Sequence, residues 1–189
     1  MIGVLVSGEG TNLQALLEEG LPVVAVGSNN TKAKALDRAV GGGIEAGAFP
    51  TVEFASRERR DEELAEWLAE RGVELVVLAG YMQLLTTPFL ERFPGRILNV
   101  HPSLLPAFPG AHAVNDALTH GVKVTGATVH FVDEGIDTGP IVLQEAVEVR
   151  AGDTAETLHT RIQEVEHRLL PKAVRLFLDG KLSSPVASA

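Results

Sequence analysis

The sequence predicts an α/β fold: a doubly wound, mostly parallel sheet with an antiparallel C-terminal extension and a long C-terminal helix. Three observations predict it. Short β-rich runs alternate with helical patterns through the first half, the order that builds a parallel sheet with crossover helices. Residues 75–80, Leu75-Val76-Val77-Leu78-Ala79-Gly80, have no polar alternation, which is how a strand buried on both faces reads. From Val122 onward two β-rich runs succeed one another across a short loop, the pattern of an antiparallel pair.

Taken in order, residues 2–6 form a short apolar run closed by Ser7-Gly8-Glu9-Gly10, a buried strand ending in a turn. Residues 11–19 place Leu13, Leu16 and Leu17 three and four apart, on one face of a helix. A second strand is predicted over 21–26, and a helix over 31–40 that ends at Gly41-Gly42-Gly43. Residues 58–71 form an amphipathic helix with Leu64, Trp67 and Leu68 inward and Gly72 as its terminator. Strands come next at 75–80 and 96–100, then the pair at 122–132 and 140–149. Asp153 caps a final long helix, with Glu156 completing a capping box. Its apolar face is Leu158, Ile162, Val165, Leu169 and Val174; Pro171 should kink or split it, and Gly180 ends it. Residues 183–189 are expected to fray.

Composition narrows the function. The chain has 189 residues, a length that suits a single domain, 1–189. Its 16 basic residues face 25 acidic ones, and a net charge of −9 argues against a nucleic-acid surface. No apolar run approaches the roughly 18 residues that span a bilayer, so no membrane partner is expected. The absence of cysteine excludes a disulfide framework, a thiolate nucleophile and a Cys-ligated metal. The start lacks a basic signal-peptide region, and the reading places the protein in the cytoplasm.

Three loops carry chemistry. Ser7-Gly8-Glu9-Gly10-Thr11-Asn12-Leu13 joins a strand to a helix, where free N–H groups and the helix dipole attract an anion. The dinucleotide pattern fails, because its third glycine would be Leu13, and no Gly-Lys-Ser/Thr is present to hold a nucleoside triphosphate. A monophosphate cradle is the better reading, against a plain tight turn. In the second loop, Asn99 and His101 are two apart and share one side of a strand end, and Pro102, Pro106 and Pro109 stiffen the segment beyond it. An amide N–H can meet an oxyanion and an imidazole can move a proton, although each residue taken singly could be structural. In the third, Asp137 could support the imidazole or be an Asx-type turn residue. His101, His112, His120, His130 and Asp137 match no metal-ligand spacing, and no metal is expected.

At these residues the sequence resembles the phosphoribosylglycinamide formyltransferases, a branch of the folate-dependent formyltransferase family. Three motifs stand in order over nearly the whole chain: Ser7-Gly8-Glu9-Gly10-Thr11-Asn12-Leu13-Gln14; Asn99-Val100-His101-Pro102-Ser103-Leu104-Leu105-Pro106; and Gly126 to Pro140, with Thr128, His130, Glu134, Asp137 and Gly139. The first points to the glycinamide ribonucleotide branch. The resemblance implies a Rossmann-like formyltransferase fold, with residues 1–100 as a nucleotide-binding half and 101–189 as a folate-binding, catalytic half. It implies a catalytic trio of Asn99, His101 and Asp137, in which the Asn99 amide and a protonated His101 would stabilise an oxyanion. The substrate phosphate would lie on Gly10, Thr11 and Asn12, and the glycinamide end on Glu166. The cosubstrate 10-formyltetrahydrofolate would lie against Arg57, Met82, Gln83, Leu84, Leu85 and Asn99. A cis peptide is implied before Pro106. Monomers and homodimers both occur in the family. Two positions depart from many relatives: Gln83 stands where an arginine is common, and Ala107 where some carry lysine. The competing readings are a formyltetrahydrofolate hydrolase and a non-catalytic nucleotide- or folate-binding module. Methionyl-tRNA formyltransferase shares the second and third motifs, but the acidic balance speaks against an RNA substrate.

Overall fold

A computed structural model describes residues 1–182; the expected frayed tail, 183–189, lies outside the described residues. The strands are β1 (Ile2–Val6), β2 (Val23–Ser28), β3 (Glu45–Ala48), β4 (Leu75–Leu78), β5 (Ile97–His101), β6 (Val124–Phe131) and β7 (Ile141–Glu148). The helices are α1 (Thr11–Glu18), α2 (Lys34–Gly41), α3 (Arg57–Glu70), α4 (Thr87–Arg92), α5 (Ala113–Thr119) and α6 (Ala155–Leu178). One sheet holds all seven strands in the order β3-β2-β1-β4-β5-β6-β7. The first five are parallel, and β6 and β7 run antiparallel to their neighbours.

Alternation along the inner strands explains the two covered faces. Ile2, Val4 and Val6 of β1, with Leu75 and Val77 of β4, join a core beneath α1 and α6. Leu5, Val76 and Leu78 point the other way, into a core with Leu64 and Leu68 of α3 and Phe89 of α4. The chain leaves β1 in one direction and returns to β4 on the other side of it. That reversal opens a crevice beyond the carboxyl ends of β1 and β4, where such sheets bind ligands.

The predicted elements are present with shifted ends, and β3, α4 and α5 are additional. These three are short, four to seven residues each, and carry too few apolar positions to set a period. Two local expectations fail. Helix α6 runs unbroken through Pro171, which is buried, and its neighbours Leu169, Leu170, Ala173 and Val174 join the core, burial that offsets the lost hydrogen bond. The α6 N-cap is Thr154, not Asp153, and its box partner is Thr157, not Glu156. Asp153 is drawn off to Arg161 and to the Arg150 N–H. Among the described residues, no helix is long and apolar enough to cross a membrane.

Candidate active site

The glycine loop begins where β1 ends. Ser7 Oγ donates to Asn29 Oδ1 at 2.5 Å and accepts from Met82 N at 2.8 Å, which ties the loop to the ends of β2 and β4. Gly10 is the N-cap of α1 at φ 76°, and no side chain caps the helix. Its first N–H groups therefore face the crevice, the arrangement that attracts an anion. Beside them Asn12 Nδ2 donates to Glu166 Oε2 at 2.8 Å. Burial pushes the Glu166 carboxyl above its ordinary range, against the smaller lowering effect of Asn12.

A first cleft is lined by Gly8, Gly10, Thr11, Asn12, Val100, Pro102 and Glu166, together with Met82, His159 and Gln163. All four residues expected around the substrate, Gly10, Thr11, Asn12 and Glu166, thus share one cleft. His159 and Gln163 were not anticipated; both sit on the Glu166 face of α6, at the i, i+4, i+7 spacing that could have found them.

A second cleft adjoins the first. It is lined by Tyr81, Gln83, Leu84, Leu85, Asn99, His130 and the loop from Val132 to Asp137. Four expected folate residues are here: Gln83, Leu84, Leu85 and Asn99. Two are not. Met82 lines the first cleft. Arg57 lines neither cleft and instead donates to the Leu84 carbonyl at 2.8 Å from the surface. The Tyr81 hydroxyl is buried without a partner, and burial pushes the phenol up to about 12, so it stays a donor.

Asn99 and Asp137 line the second cleft, and the buried His101 meets Asp137 behind that wall, lining neither cleft. Asp137 Oδ1 lies 3.4 Å from Asn99 Nδ2, and its Oδ2 lies 3.3 Å from His101 Nδ1. One carboxylate thus bridges both strand-end residues. The Gly110 N–H holds Oδ2 at 2.7 Å, and His101 Nε2 meets the Phe108 carbonyl at 2.8 Å. Both partners of His101 have left-handed backbones, Phe108 at φ 53° and Asp137 at φ 54°. Non-glycine residues take that conformation at a cost and collect at functional sites. The prolines act upstream: the Leu105–Pro106 peptide is cis, and Thr128 Oγ1 accepts from Leu105 N while donating to Ser103 O.

Burial pushes the His101 imidazole below its ordinary value, outweighing the Phe108 carbonyl and the Asp137 charge, which pull it up. Both ring nitrogens face oxygen acceptors, Asp137 Oδ2 and the Phe108 carbonyl, so burial works against the protonated form that these two partners favour. Burial would raise Asp137, but the His130 ring 3.5 Å away, the Gly110 N–H and the nearby imidazole of His101 hold it below its usual range.

His130, a residue of the third motif with no role assigned from sequence, belongs to the site. It stands directly opposite Asn99 across the β5–β6 ladder. Its Nδ1 lies 2.8 Å from the Phe131 carbonyl and its Nε2 lies 3.1 Å from Asn99 Nδ2. With a proton on Nδ1, the Nε2 lone pair accepts one Asn99 N–H and orients the amide. Alternation in the run Thr128-Val129-His130, beside its place in the third motif, is the signal for its role. Among the described residues, no group of three His, Cys, Asp or Glu side chains could hold a metal ion.

Known proteins share this architecture. The formyl transferase family matches residues 1–174. The phosphoribosylglycinamide formyltransferase of Bacillus subtilis is 41% identical over 181 residues, 93% of this chain and 93% of that protein. The crystal structure of glycinamide ribonucleotide transformylase 1 from Symbiobacterium toebii is 53% identical with a TM-score of 0.94, covering 96% of this chain and 89% of that one. The trifunctional purine biosynthetic protein adenosine-3 of Gallus gallus is 44% identical over 95% of this chain, which spans only 18% of that protein's length. The chain therefore belongs to the formyl transferase family, in its phosphoribosylglycinamide formyltransferase branch.

Proposed function

We propose that the protein transfers the formyl group of 10-formyltetrahydrofolate to the amine of N1-(5-phosphoribosyl)glycinamide, a step of purine biosynthesis. One observation carries this reading. Asn99 lines the second cleft while Val100 and Pro102 line the first, so two reactants would meet across a single strand end. A binding module has no need of two clefts divided by one strand that carries an Asn on the wall of one of them and a buried His beside it.

In this reading the uncapped start of α1 at Gly10, Thr11 and Asn12 holds the substrate phosphate, and Glu166 holds the glycinamide end. The second cleft sets Leu78, Leu84, Leu85 and Val132 beside Gln83, Asn99 and Asp133, an apolar slot with polar edges that fits the flat ring of a reduced folate. The neutral amine attacks the formyl carbon and negative charge develops on the formyl oxygen. The Asn99 amide gives up its long contact to Asp137 and donates to that oxygen, help typically worth about 10²–10³ in rate. His101, with Nδ1 backed by Asp137, is the relay in this reading: Nε2 gives up the Phe108 carbonyl, takes the proton from the attacking nitrogen and returns it to N10 of the folate as the C–N bond breaks. Such relay is worth about 10²–10⁴. No covalent enzyme intermediate is needed.

The test is turnover with both substrates, monitoring tetrahydrofolate release by absorbance. Release that requires glycinamide ribonucleotide supports the transferase; release without the amine acceptor would instead mark a hydrolase.

A further inference from the structure

Beneath the second cleft lies a buried ion pair that the chemistry above does not use. Arg60 and Asp61 are neighbours near the start of α3, and both side chains are fully buried. Arg60 Nε and Nη2 both donate to Asp61 Oδ1, at 2.8 and 2.6 Å. Asp61 Oδ2 is spent elsewhere, accepting from Thr86 N and Thr86 Oγ1, each at 2.8 Å. Arg60 Nη1 turns the other way, to Thr51 Oγ1 at 3.0 Å and Gln83 Oε1 at 3.5 Å. Together with Arg57 on the Leu84 carbonyl, α3 holds three of the four residues from 83 to 86. Those residues are the wall of the cleft and its junction with α4.

A buried ion pair contributes little net stability, because desolvation offsets the attraction; its best-attested use is to specify geometry. Here the geometry is explicit. The Asp61 carboxylate cannot turn without releasing either Arg60 or Thr86. A guanidinium offers only donors, so Gln83 must turn its oxygen to Arg60. That leaves the Gln83 N–H₂ group for the cleft, where a side chain of the opposite orientation would present an acceptor.

We propose that Arg60 and Asp61 are positioning residues for the formyl donor: they fix the segment 83–86 and aim the Gln83 amide N–H₂ at an acceptor on the ligand. The proposal rests on reading the second cleft as the reduced-folate site. It is specific to one substrate. The pair touches nothing in the first cleft, so its loss should fall on folate binding alone.

The test titrates tetrahydrofolate into the full chain by calorimetry and measures KM for both substrates. Thr86→Val keeps the shape but removes the hydroxyl from Asp61, and Thr86→Ser restores it. Arg60→Lys keeps the charge but loses the forked contacts. The expected result is about tenfold weaker tetrahydrofolate binding for Thr86→Val and Arg60→Lys, with near wild-type binding for Thr86→Ser and an unchanged nucleotide KM. Should Arg60→Lys fail to fold, the Thr86 pair decides. Unchanged tetrahydrofolate affinity, no rescue by serine, or equal loss for both substrates overturns the positioning role. A wild-type chain that binds no tetrahydrofolate overturns the folate reading itself, a failure visible before any variant is compared.

Discussion

Asn12 Nδ2 donates to Glu166 Oε2 across 2.8 Å, a buried bond between residues 154 apart that ties the start of α1 to the middle of α6. Asn12 Oδ1 is left buried without a partner, and against the burial of Glu166 it is the Asn12 hydrogen bond that favours the carboxylate's charge. Both residues line the first cleft, and an acceptor beside a carboxylate is suited to an amine or to hydroxyl groups.

This pairing sets stability against binding. Burial raises the Glu166 pKa in the folded state above its ordinary 4.5. A raised value means that the contribution to stability is fully present below the unfolded pKa and is lost as pH rises through the folded one. Above the unfolded value Glu166 therefore costs stability. Glu166→Gln should raise the Tm at pH 7, at about 2–4 °C per kcal/mol recovered in a domain of this size, while raising the nucleotide KM. The gain should vanish near pH 4. Thermal melts at both pH values check this, and equal gains at the two would contradict it.

Gly10 sits at φ 76°, and a Cβ there would lie 2.6 Å from Ala35 Cβ and 2.9 Å from its Cα. Backbone conformation and space both demand glycine. Gly10→Val should displace the start of α1 and raise the nucleotide KM by about tenfold or more, leaving the folate KM nearly unchanged. Steady-state kinetics with each substrate varied decide it; equal rises would remove the phosphate role from this loop.

The shared Asp137 carboxylate predicts that Asn99, His101 and Asp137 act as a unit. Each single alanine substitution should lower kcat by about 10²–10⁴ with nucleotide binding nearly intact. The His101→Ala, Asp137→Ala double variant should cost little more than the worse single one. Asp137→Asn removes an influence that raises the His101 pKa, so the already lowered value should fall further. If His101 works as a base, the acid limb of kcat moves to lower pH with it. NMR titration of His101 beside the pH–rate profile tests both; losses that multiply would leave three independent contacts.

His130 predicts an effect on rate without an effect on affinity. His130→Phe keeps the ring but removes the acceptor that orients the Asn99 amide. A fall in kcat of about tenfold to a hundredfold is expected, with both KM values little changed. His130→Gln, which offers an oxygen acceptor, should recover part of it. Rate constants from rapid quench measure the chemical step directly, and an unchanged step in His130→Phe would relegate the histidine to packing.

The strand–helix alternation, the buried character of residues 75–80 and the antiparallel pair after Val122 were all legible, because each is a local pattern of apolar spacing. So were the strand-end placement of Asn99 and His101 and the glycine required at position 10, which rest on alternation and backbone sterics. Cap identity was less legible. Asp153 and Thr154 are both good caps, and Arg161, one helical turn beyond Thr157, decides between them by taking Asp153.

The order of elements and the residue types at their ends therefore follow from local patterns along the chain. Which ends meet follows from the packing. It set His130 opposite Asn99 through a sheet register, and it brought Glu166 to Asn12 by laying α6 across α1. It also buried Arg60 with Asp61 under the Gln83 wall, a pairing that a surface helix pattern conceals. The physical reason is common to all three. Periodicity along the chain reports which face of an element is apolar, whereas polar contacts between elements depend on how those faces pack, and packing is a property of the whole fold.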